Sequence, residues 1–457
     1  MKLFYHFSGW LALAGALLGR STVLGASENR LSDQPIPLQT ATFPQRPEPL
    51  VEIGQNPFLG PGFIYPGFIS PTGAVWQPVF IAYGTLRSSY QTFDSGPADQ
   101  LSEWSNRLDL FGNLYLTPTE RILASIRPLD RDGRFSNFTF KDPTQEGWHN
   151  SNNGNLRTLF FEGDFGELFP TLDPTDRRSL DYGFAVGRMP ISLQDGIMFN
   201  DGLDGIGLTR SSLFLLGSNA AHVTAFYGWS DVHHGARKDL TAQVFLLSAA
   251  ADYSVATVEA DFAYVPSRNR AIGDGLFAGF AYIARFGKIS STTRVNFSRA
   301  IHKETADIQN GALWFQQLNY QPAHTHNNLY LNLFAGFDSY RSAARSPEAG
   351  GPLGQAGLLF AAVGLGRYGA ALGNTADRSL GGSVGYQMFF KQRRQQLNIE
   401  VGERQRTDRA KSRTAAVGAR YQHAFGRHVI WQLDGFTSTN QVAPDGYGFR
   451  SELQYKF

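Results

Sequence analysis

The sequence predicts an all-β protein: a transmembrane antiparallel β-barrel of about 16–20 strands, about 18 being favoured, that follows a Pro-rich N-terminal extension. Three observations lead to this fold class. Apolar and polar side chains alternate along most of the chain, the chain ends on an aromatic residue, and only 18% of the residues are charged. Soluble domains carry about 25% charged residues. A barrel turns one set of side chains toward lipid and the other toward water, which explains the alternation.

Residues 1–26 have the features of a secretory signal peptide. Lys2 supplies the positive start, the run from Gly9 to Gly19 is apolar and uncharged, and Ala26 ends a suitable cleavage site. The apolar run is shorter than the roughly 20 residues of a spanning helix. The absence of cysteine excludes disulfides and a lipid-modified cysteine. We therefore expect export and cleavage before Ser27.

Residues 27–72 form the Pro-rich extension. Nine prolines between Pro35 and Pro71 exclude an ordinary strand or helix there. The segment is predicted to be either an extended leader, in the periplasm or at the mouth of the barrel, or a disordered tether. The barrel itself is predicted to span residues 73–457.

The last eleven residues, 447–457, show the strongest alternation. The odd positions are Tyr447, Phe449, Ser451, Leu453, Tyr455 and Phe457, and the even positions are Gly448, Arg450, Glu452, Gln454 and Lys456. One face is therefore apolar and aromatic and the other polar, as in a wall between lipid and water. A last strand that ends in Phe, with apolar or aromatic residues at two-residue steps before it, resembles the terminal strand that outer-membrane barrels present to their assembly machinery. That machinery is an expected partner, recognised through Phe457.

Similar alternation recurs from about residue 75 onward. Residues 107–116 and 121–127 form a predicted hairpin, and the remaining segments give further strands. Short connections are predicted at 117–120, 217–220, 287–288, 391–394 and 425–428, and the longer ones include 131–155, 230–239, 266–274 and 339–354. If the short connections lie on the periplasmic side, as in outer-membrane barrels, then Arg367 to Gly373 must be a short strand.

The polar face of the predicted strands carries both signs of charge. The pore-lining candidates on it are Arg107, Asp109, Arg127, Glu259 and Asp261. A polar lumen in an exported barrel predicts an outer-membrane channel for passive diffusion of small polar solutes or ions, and strong ion selectivity does not follow from mixed charges. A structural or adhesive barrel is the alternative, and a barrel enzyme is a further one. Because no catalytic motif is present, we expect no enzyme.

The most unusual stretch is residues 187–210. It places Arg188, Asp195, Asp201, Asp204 and Arg210 within a short distance in sequence. A strand with Gly-Arg followed by a Gln-Asp-Gly turn resembles the alginate-export and phosphate-selective porin type, and this resemblance implies a loop folded toward the pore. Three interpretations stay open: an inward loop whose carboxylates face wall arginines, a Ca²⁺ site, and an ordinary external turn. The chain lacks the continuous Lys ladder expected of phosphate selectivity.

A second basic group comprises Arg404, Arg406, Arg409, Lys411 and Arg413. Strand parity, with a small offset before residue 403, places it on the outer face. Arginine binds phosphate bidentately, so lipopolysaccharide is the expected contact, with a solvated loop as the alternative.

The remaining expectations concern other partners. The formal net charge of +2 is nearly balanced, so nucleic acid is not an expected partner. The histidines are scattered, without the spacing of a metal site, and neither a metal nor a cofactor is predicted. Outer-membrane lipid and small polar solutes are the expected partners, and homo-oligomerisation is left open.

Overall fold

The computed structural model describes residues 48–54, 66–96, 100–142, 146–172, 174, 180–408 and 412–457. The predicted signal peptide and the first part of the Pro-rich extension lie outside these residues. The described residues belong to one compact unit, 46–457.

A closed antiparallel barrel of 18 strands forms the wall. In chain order the wall strands are β1 (Val79–Asp94), β2 (Leu101–Tyr115), β3 (Arg121–Ile126), β4 (Leu156–Asp164), β5 (Tyr182–Leu193), β6 (Phe199–Leu213), β7 (Ala220–Trp229), β8 (Gln243–Asp252), β9 (Ala256–Val265), β10 (Gly275–Phe286), β11 (Ile289–Ala300), β12 (Gly311–Tyr320), β13 (Asn328–Ser339), β14 (Asp377–Phe390), β15 (Gln395–Arg406), β16 (Arg413–Phe425), β17 (Val429–Asn440) and β18 (Gly446–Lys456). Each strand pairs with the next, and β18 pairs with β1, which closes the ring. The predicted fold class and the favoured strand number are confirmed.

The two faces of the wall differ as the alternation predicts. Residues directly opposite each other in an antiparallel pair share a face. Large apolar side chains stand exposed on the outer face, among them Val186, Ile206, Phe262, Val401 and Leu453. Their sequence neighbours point into the barrel and are mostly polar or buried. None of the helices in the described ranges is long and apolar enough to cross a membrane.

The two ends of the barrel differ in their connections. At the end where β18 terminates, the turn end, the connections are 116–120, 165–181, 214–219, 253–255, 287–288, 321–327, 391–394 and 426–428. At the opposite end, the loop end, they are 95–100, 127–155, 194–198, 230–242, 266–274, 301–310, 340–376, 407–412 and 441–445. Connection 165–181 is long although it lies at the turn end, and it contains the short helix α1 (Phe165–Leu168).

One strand expected from the sequence is absent. Residues 367–373 are not a strand but part of the single connection 340–376 between β13 and β14. This connection contains the short strand Ala344–Arg345 and two 3₁₀ turns, Pro347–Ala349 and Pro352–Ala356. It is rich in Gly and Ala, lacks the two-residue alternation of a wall strand, and packs inside the barrel instead of extending its wall.

The described part of the Pro-rich extension contains short strands, although its prolines were expected to exclude them. Val51–Ile53 pairs with Phe80 to Ala82 of β1, and Phe68–Ile69 pairs with Val75–Trp76. Val51–Ile53 itself has no proline and continues the edge of β1 beyond the end of β18. Proline limits such pairing in length, which is why only two or three residues take part.

The apolar core lies inside the barrel. One cluster joins β5 and β6 to the inner faces of β7–β10, with Met198, Phe199, Leu203 and Phe277 almost fully buried. A second cluster packs residues of connection 340–376, including Leu359 and Phe360, on the inner faces of β12, β13 and β16. The interior is therefore filled by two chain segments, not left as an open tube.

Candidate pore constriction

Two connections of the loop end fold into the barrel. The tip of the β5–β6 hairpin, residues 194–198, is named the inward tip, and residues 340–376 are named the inward loop. Within the tip, Gln194, Ile197 and Met198 are buried, and Asp195 stays exposed. The short strand Ala344–Arg345 pairs in parallel with the start of β6, which joins the tip to the loop.

Wall residues across the lumen hold the inward tip. Arg294 of β11 makes an ion pair with the Asp195 carboxylate at 2.7 Å. The Gln194 amide donates to the Asp261 carboxylate of β9 at 2.6 Å. Glu259 lies on the same face and interacts electrostatically with Arg294, Asp261 and Asp195. This side of the lumen therefore has three carboxylates around one arginine.

Arg345 connects the inward loop to the inward tip. Its guanidinium donates to the carbonyl oxygens of Gly196 and Ile197. The Ser342 hydroxyl also donates to the Ile197 carbonyl, at 2.7 Å. These bonds satisfy backbone carbonyls that a buried turn would otherwise leave unpaired.

Glu400 of β15 anchors the middle of the inward loop. Its carboxylate is fully buried and accepts the backbone N–H groups of Leu358 at 2.8 Å and Leu359 at 2.9 Å. The Tyr330 hydroxyl donates to the same carboxylate. Gly357 has φ +139°, and a Cβ there would overlap the Glu400 carboxylate. Only glycine allows the backbone to approach the anchor this closely.

Glu103 of β2 anchors the far arm of the inward loop. Its buried carboxylate accepts the backbone N–H of Arg367 at 2.6 Å and the Arg367 side chain at 3.1 Å. Gln91 and Asn137 also donate to it. Glu103 and Glu400 thus hold the loop from two separate parts of the wall.

Arginines and carboxylates alternate around and within the inward loop. One network contains Arg107, Asp109, Arg127, Asp130, Glu348 and Arg157. A second contains Arg87, Glu452, Arg450, Asp434 and Arg420. Together the two networks hold six arginines and five carboxylates, so their charges nearly balance. The carbonyls of Val363 and Gly364 accept bonds from Arg87 and Arg107 and tie the loop to both networks.

The predicted pore-lining residues of β2 and β9 face the lumen, and Arg127, directly after the end of β3, joins them. Arg107, Asp109 and Arg127 belong to the first network, and Asp261 and Glu259 lie beside the inward tip. The residues of the 187–210 stretch are divided between different places in the barrel.

Asp195 and Asp201 point inward. The buried Asp201 carboxylate lies 3.0 Å from the His233 ring and accepts the His233 backbone N–H at 2.8 Å. Arg188 and Asp204, in contrast, are register partners on the face that carries Val186 and Ile206. The expectation that all these carboxylates face wall arginines across the pore therefore needs correction.

Arg188 binds Asp204 at 3.2 Å and Asp231 at 2.8 Å on the outer side near the loop end. Arg210 also lies on the outer face, near the turn end, with its guanidinium over the Tyr182 ring. Strand parity explains both positions, because an even-numbered residue of β5 or β6 shares the lipid side with its even-numbered neighbours. These two arginines do not face the lumen.

The predicted outer basic run is also divided. β15 pairs with β14 without any offset, so Arg404 shares the lumen face of Glu400 and donates to the carbonyls of Leu372 and Thr375 in the inward loop. Arg406 pairs with Asp408. Arg413 lies on the outer face and pairs with Glu403. Arg409 and Lys411 lie outside the described residues.

Several residues that anchor the inward segments escaped the sequence reasoning: Glu103, Arg157, Arg345 and Glu348. Residues 356–366 carried the usable signal, since they form an apolar, Gly-rich run without strand alternation. A run that is too apolar for an external loop and too short to span a membrane is a candidate for packing inside a barrel.

The comparison with solved structures supports the fold. No family model and no curated protein matches the chain. Among solved structures, it is similar to a BenF-like porin from Pseudomonas fluorescens Pf-5 (TM-score 0.56, 11% identity, 83% of this chain and 98% of that one). Pseudomonas aeruginosa OpdK with vanillate gives a TM-score of 0.55 at 11% identity, over 83% of this chain and 98% of that one. Acinetobacter baumannii OccAB3 gives 0.53 at 12%, over 83% and 99%.

Proposed function

We propose that the chain is an outer-membrane channel through which small polar solutes diffuse passively. The observation that carries the proposal is the pair of inward segments held by buried carboxylates inside a barrel with an apolar outer face. A barrel that served only as a scaffold or adhesin would have no need for an anchored, charged narrowing. The fold shared with the BenF-like porin and with OpdK supports the same conclusion.

The location follows from the same wall. An outward apolar surface requires lipid around it, and an outer membrane is where closed barrels of this kind reside. Fractionation of cells together with gel mobility before and after heating tests this part. The protein should fractionate with the outer membrane and migrate faster when unheated, whereas a periplasmic protein with unchanged mobility would contradict it.

The function is tested by conductance across a planar lipid bilayer. Purified, folded protein should insert and give discrete current steps in KCl. Vanillate, which accompanies OpdK in its solved structure, is a rational first solute for measuring transient block of the current. Folded protein that inserts and never conducts would overturn the channel and favour a structural or adhesive barrel.

The finer assignment to the alginate-export or phosphate-selective type remains a proposal. The near balance of arginines and carboxylates in the lumen networks supports weak selectivity in preference to a phosphate-specific pore. Comparing the permeability of alginate oligomers, phosphate and neutral sugars of similar size would separate these possibilities, since a weakly selective channel passes solutes mainly by size.

A further inference from the structure

Two neighbouring connections at the turn end concentrate positive charge. Connection 391–394 has the sequence Lys-Gln-Arg-Arg and connection 426–428 has Gly-Arg-His, and neither contains a carboxylate. They lie side by side, because β15 pairs with β16 and the Arg394 guanidinium donates to the carbonyls of Ala424 and Gly426. Residues 391–394 and 426–428 are named the basic turns.

The charges of the basic turns are open to solvent. Lys391, Arg393 and Arg427 are all exposed. Within the described part of the chain, Lys391 and Arg393 make no ion pair, and Arg427 pairs at 2.6 Å with Glu48, whose side chain is 77% exposed. A pair this exposed contributes little stability, so a bound anion can replace Glu48. The basic turns therefore offer three accessible cations to a ligand.

The backbone of connection 391–394 has a conformation that favours glycine, although the connection contains none. Lys391, Gln392 and Arg393 have φ values of +47°, +55° and +65°. Tight hairpin turns use this left-handed region, but mainly with Gly, Asn or Asp. Long side chains there cost conformational free energy, and strained positions of this kind cluster at sites that hold ligands. The turn thus displays two cations in a conformation that glycine would adopt at lower cost.

Aromatic side chains of the outer face lie next to the basic turns. Phe390 immediately precedes one turn and Phe425 the other, and the Tyr455 ring stacks on the His428 ring with centroids 5.6 Å apart. Phe390, Phe425 and Tyr455 all stand exposed on the outer face. Aromatic rings at the end of an outward apolar band mark the boundary between hydrocarbon and headgroups. The basic turns therefore project into the headgroup layer.

We propose that the basic turns bind the headgroup of an anionic glycerophospholipid. The phosphodiester accepts hydrogen bonds from Lys391 and Arg393, and Arg427 adds a third positive charge once Glu48 is displaced. The acyl chains continue along Phe390 and Phe425. Because short connections lie on the periplasmic side, this lipid belongs to the inner leaflet of the membrane. The leaflet rests on the proposed location, whereas lipid binding is measured independently of conduction.

Lipid preference is measured by native mass spectrometry of the protein released from nanodiscs with equal amounts of dioleoyl phosphatidylglycerol and dioleoyl phosphatidylcholine. The unmodified protein should retain phosphatidylglycerol preferentially, because phosphatidylcholine carries no net charge. The double variant Lys391→Gln/Arg393→Gln should lower this preference roughly ten-fold, since it removes two charged donors. Arg394 is left intact because it also holds the neighbouring turn.

A second double variant, Lys391→Gly/Arg393→Gly, separates lost binding from a misfolded turn. It removes the same charges, and glycine adopts the left-handed backbone without strain. It should show the same loss of preference while the heat-resistant gel mobility is unchanged.

The matched control is Arg268→Gln/Arg270→Gln, which removes two exposed charges at the loop end. It should keep the lipid preference of the unmodified protein. An equal loss in this control, or an unchanged preference in both variants of the basic turn, would overturn the site. Release of the lipid by soluble glycerol 1-phosphate would overturn the assignment to a lipid. A normal lipid preference without any bilayer conductance would contradict the channel and leave this site standing.

Discussion

Asp195 is the exposed residue of an otherwise buried tip, and its charge faces the solvent of the lumen. Its carboxylate is 52% exposed, while its partner Arg294 is 3% exposed. One unit charge at about 10 Å in water changes the energy of an ion by about 0.4 kcal/mol, or roughly two-fold in population. The Asp195→Asn variant should therefore raise the anion-to-cation permeability ratio about two-fold or more, as measured by the reversal potential in a KCl gradient.

Asp204→Asn is the control for this substitution. Asp204 has the same side chain on the same hairpin, but it lies on the outer face beside Arg188. Its substitution should leave the reversal potential unchanged. An equal shift in both variants would show that the two carboxylates act through the overall charge of the barrel and not through the lumen. A deletion of residues 198–203 would test the role of the inward tip less cleanly than Asp195→Asn. It would also remove the buried side chains of Met198, Phe199 and Leu203.

Glu400 gives a second prediction for a single residue. The Glu400→Ala variant leaves the N–H groups of Leu358 and Leu359 without their acceptor, at a cost of about 1–3 kcal/mol for each unsatisfied group. The inward loop should detach from β15, and the single-channel current should become larger and noisier.

Glu403→Ala serves as the matched control on the same strand. Glu403 points outward and pairs with Arg413, so its loss should change neither the amplitude nor the noise of the current. Identical currents in the Glu400→Ala variant and the unmodified protein would show that the loop does not limit conduction.

The residue scale also shows where sequence reasoning stops. Alternation predicts that Arg107, Asp109 and Asp261 lie on the polar face of their strands, and in the structure they face the lumen. It could not show that Glu400 accepts amides from a loop about 40 residues away in sequence. Such contacts depend on tertiary packing, and no local pattern encodes them. A one-residue error of parity was enough to misplace Arg404, because adjacent strand residues face opposite sides.

Among the elements, the inward loop depends on glycine at the point where it meets β15. The Gly357→Ala variant places a Cβ against the Glu400 carboxylate and requires a left-handed φ of +139° from alanine. The loop should lose its anchored position, with higher conductance and a lower temperature for the loss of heat-resistant gel mobility.

Gly354→Ala provides the comparison within the same loop. A Cβ at Gly354 would have no atom within 4 Å among the described residues. Helix and loop positions of this kind accept alanine with little change or a slight gain in stability. If both variants lost the anchored loop to the same extent, the effect would come from the lower backbone flexibility of alanine and not from the close approach of residue 357 to Glu400.

The elements that the sequence predicted well are those with strict alternation. In β18 and β14 one face is mostly apolar and the other consists mainly of polar or small side chains. The prediction was wrong where the chain leaves the wall. Residues 367–373 are not a strand, although a strand there would have placed every short connection at the same end of the barrel. The sequence also contained no sign of the long turn-end connection 165–181. Loop length is a weak guide when a loop packs inside a barrel.

On the scale of the whole molecule, the charges of the lumen are arranged on opposite sides. β2, which carries Arg107 and Asp109, and β11, which carries Arg294, are nine strands apart in a ring of 18. The first side carries nearly balanced networks of arginines and carboxylates, and the second has three carboxylates around Arg294. We infer a transverse field across the narrowing, which orders water and favours polar over apolar solutes.

The seam between β18 and β1 decides whether the ring closes. The N–H of Gly84 donates to the Phe457 carbonyl at 2.7 Å, and the N–H of Phe457 donates to the Gly84 carbonyl at 3.1 Å. The Phe457 ring lies directly over Gly84, where a Cβ would be 2.8 Å from its Cε2 atom. The terminal residue therefore takes part in the closure as well as being the expected signal for the assembly machinery.

Deleting Phe457 separates these two roles when folding is measured in two settings. In lipid vesicles without any assembly machinery, the deletion should slow folding only modestly, because the β18–β1 ladder continues from Lys456 to Tyr447. In cells, where we expect the assembly machinery to recognise the terminal residue, the heat-modifiable band should fall much further. The Lys456→Ala variant, one residue earlier, should behave as the unmodified protein in both settings. An equal loss in vesicles and in cells would assign Phe457 to closure of the barrel and contradict its role as a recognition signal.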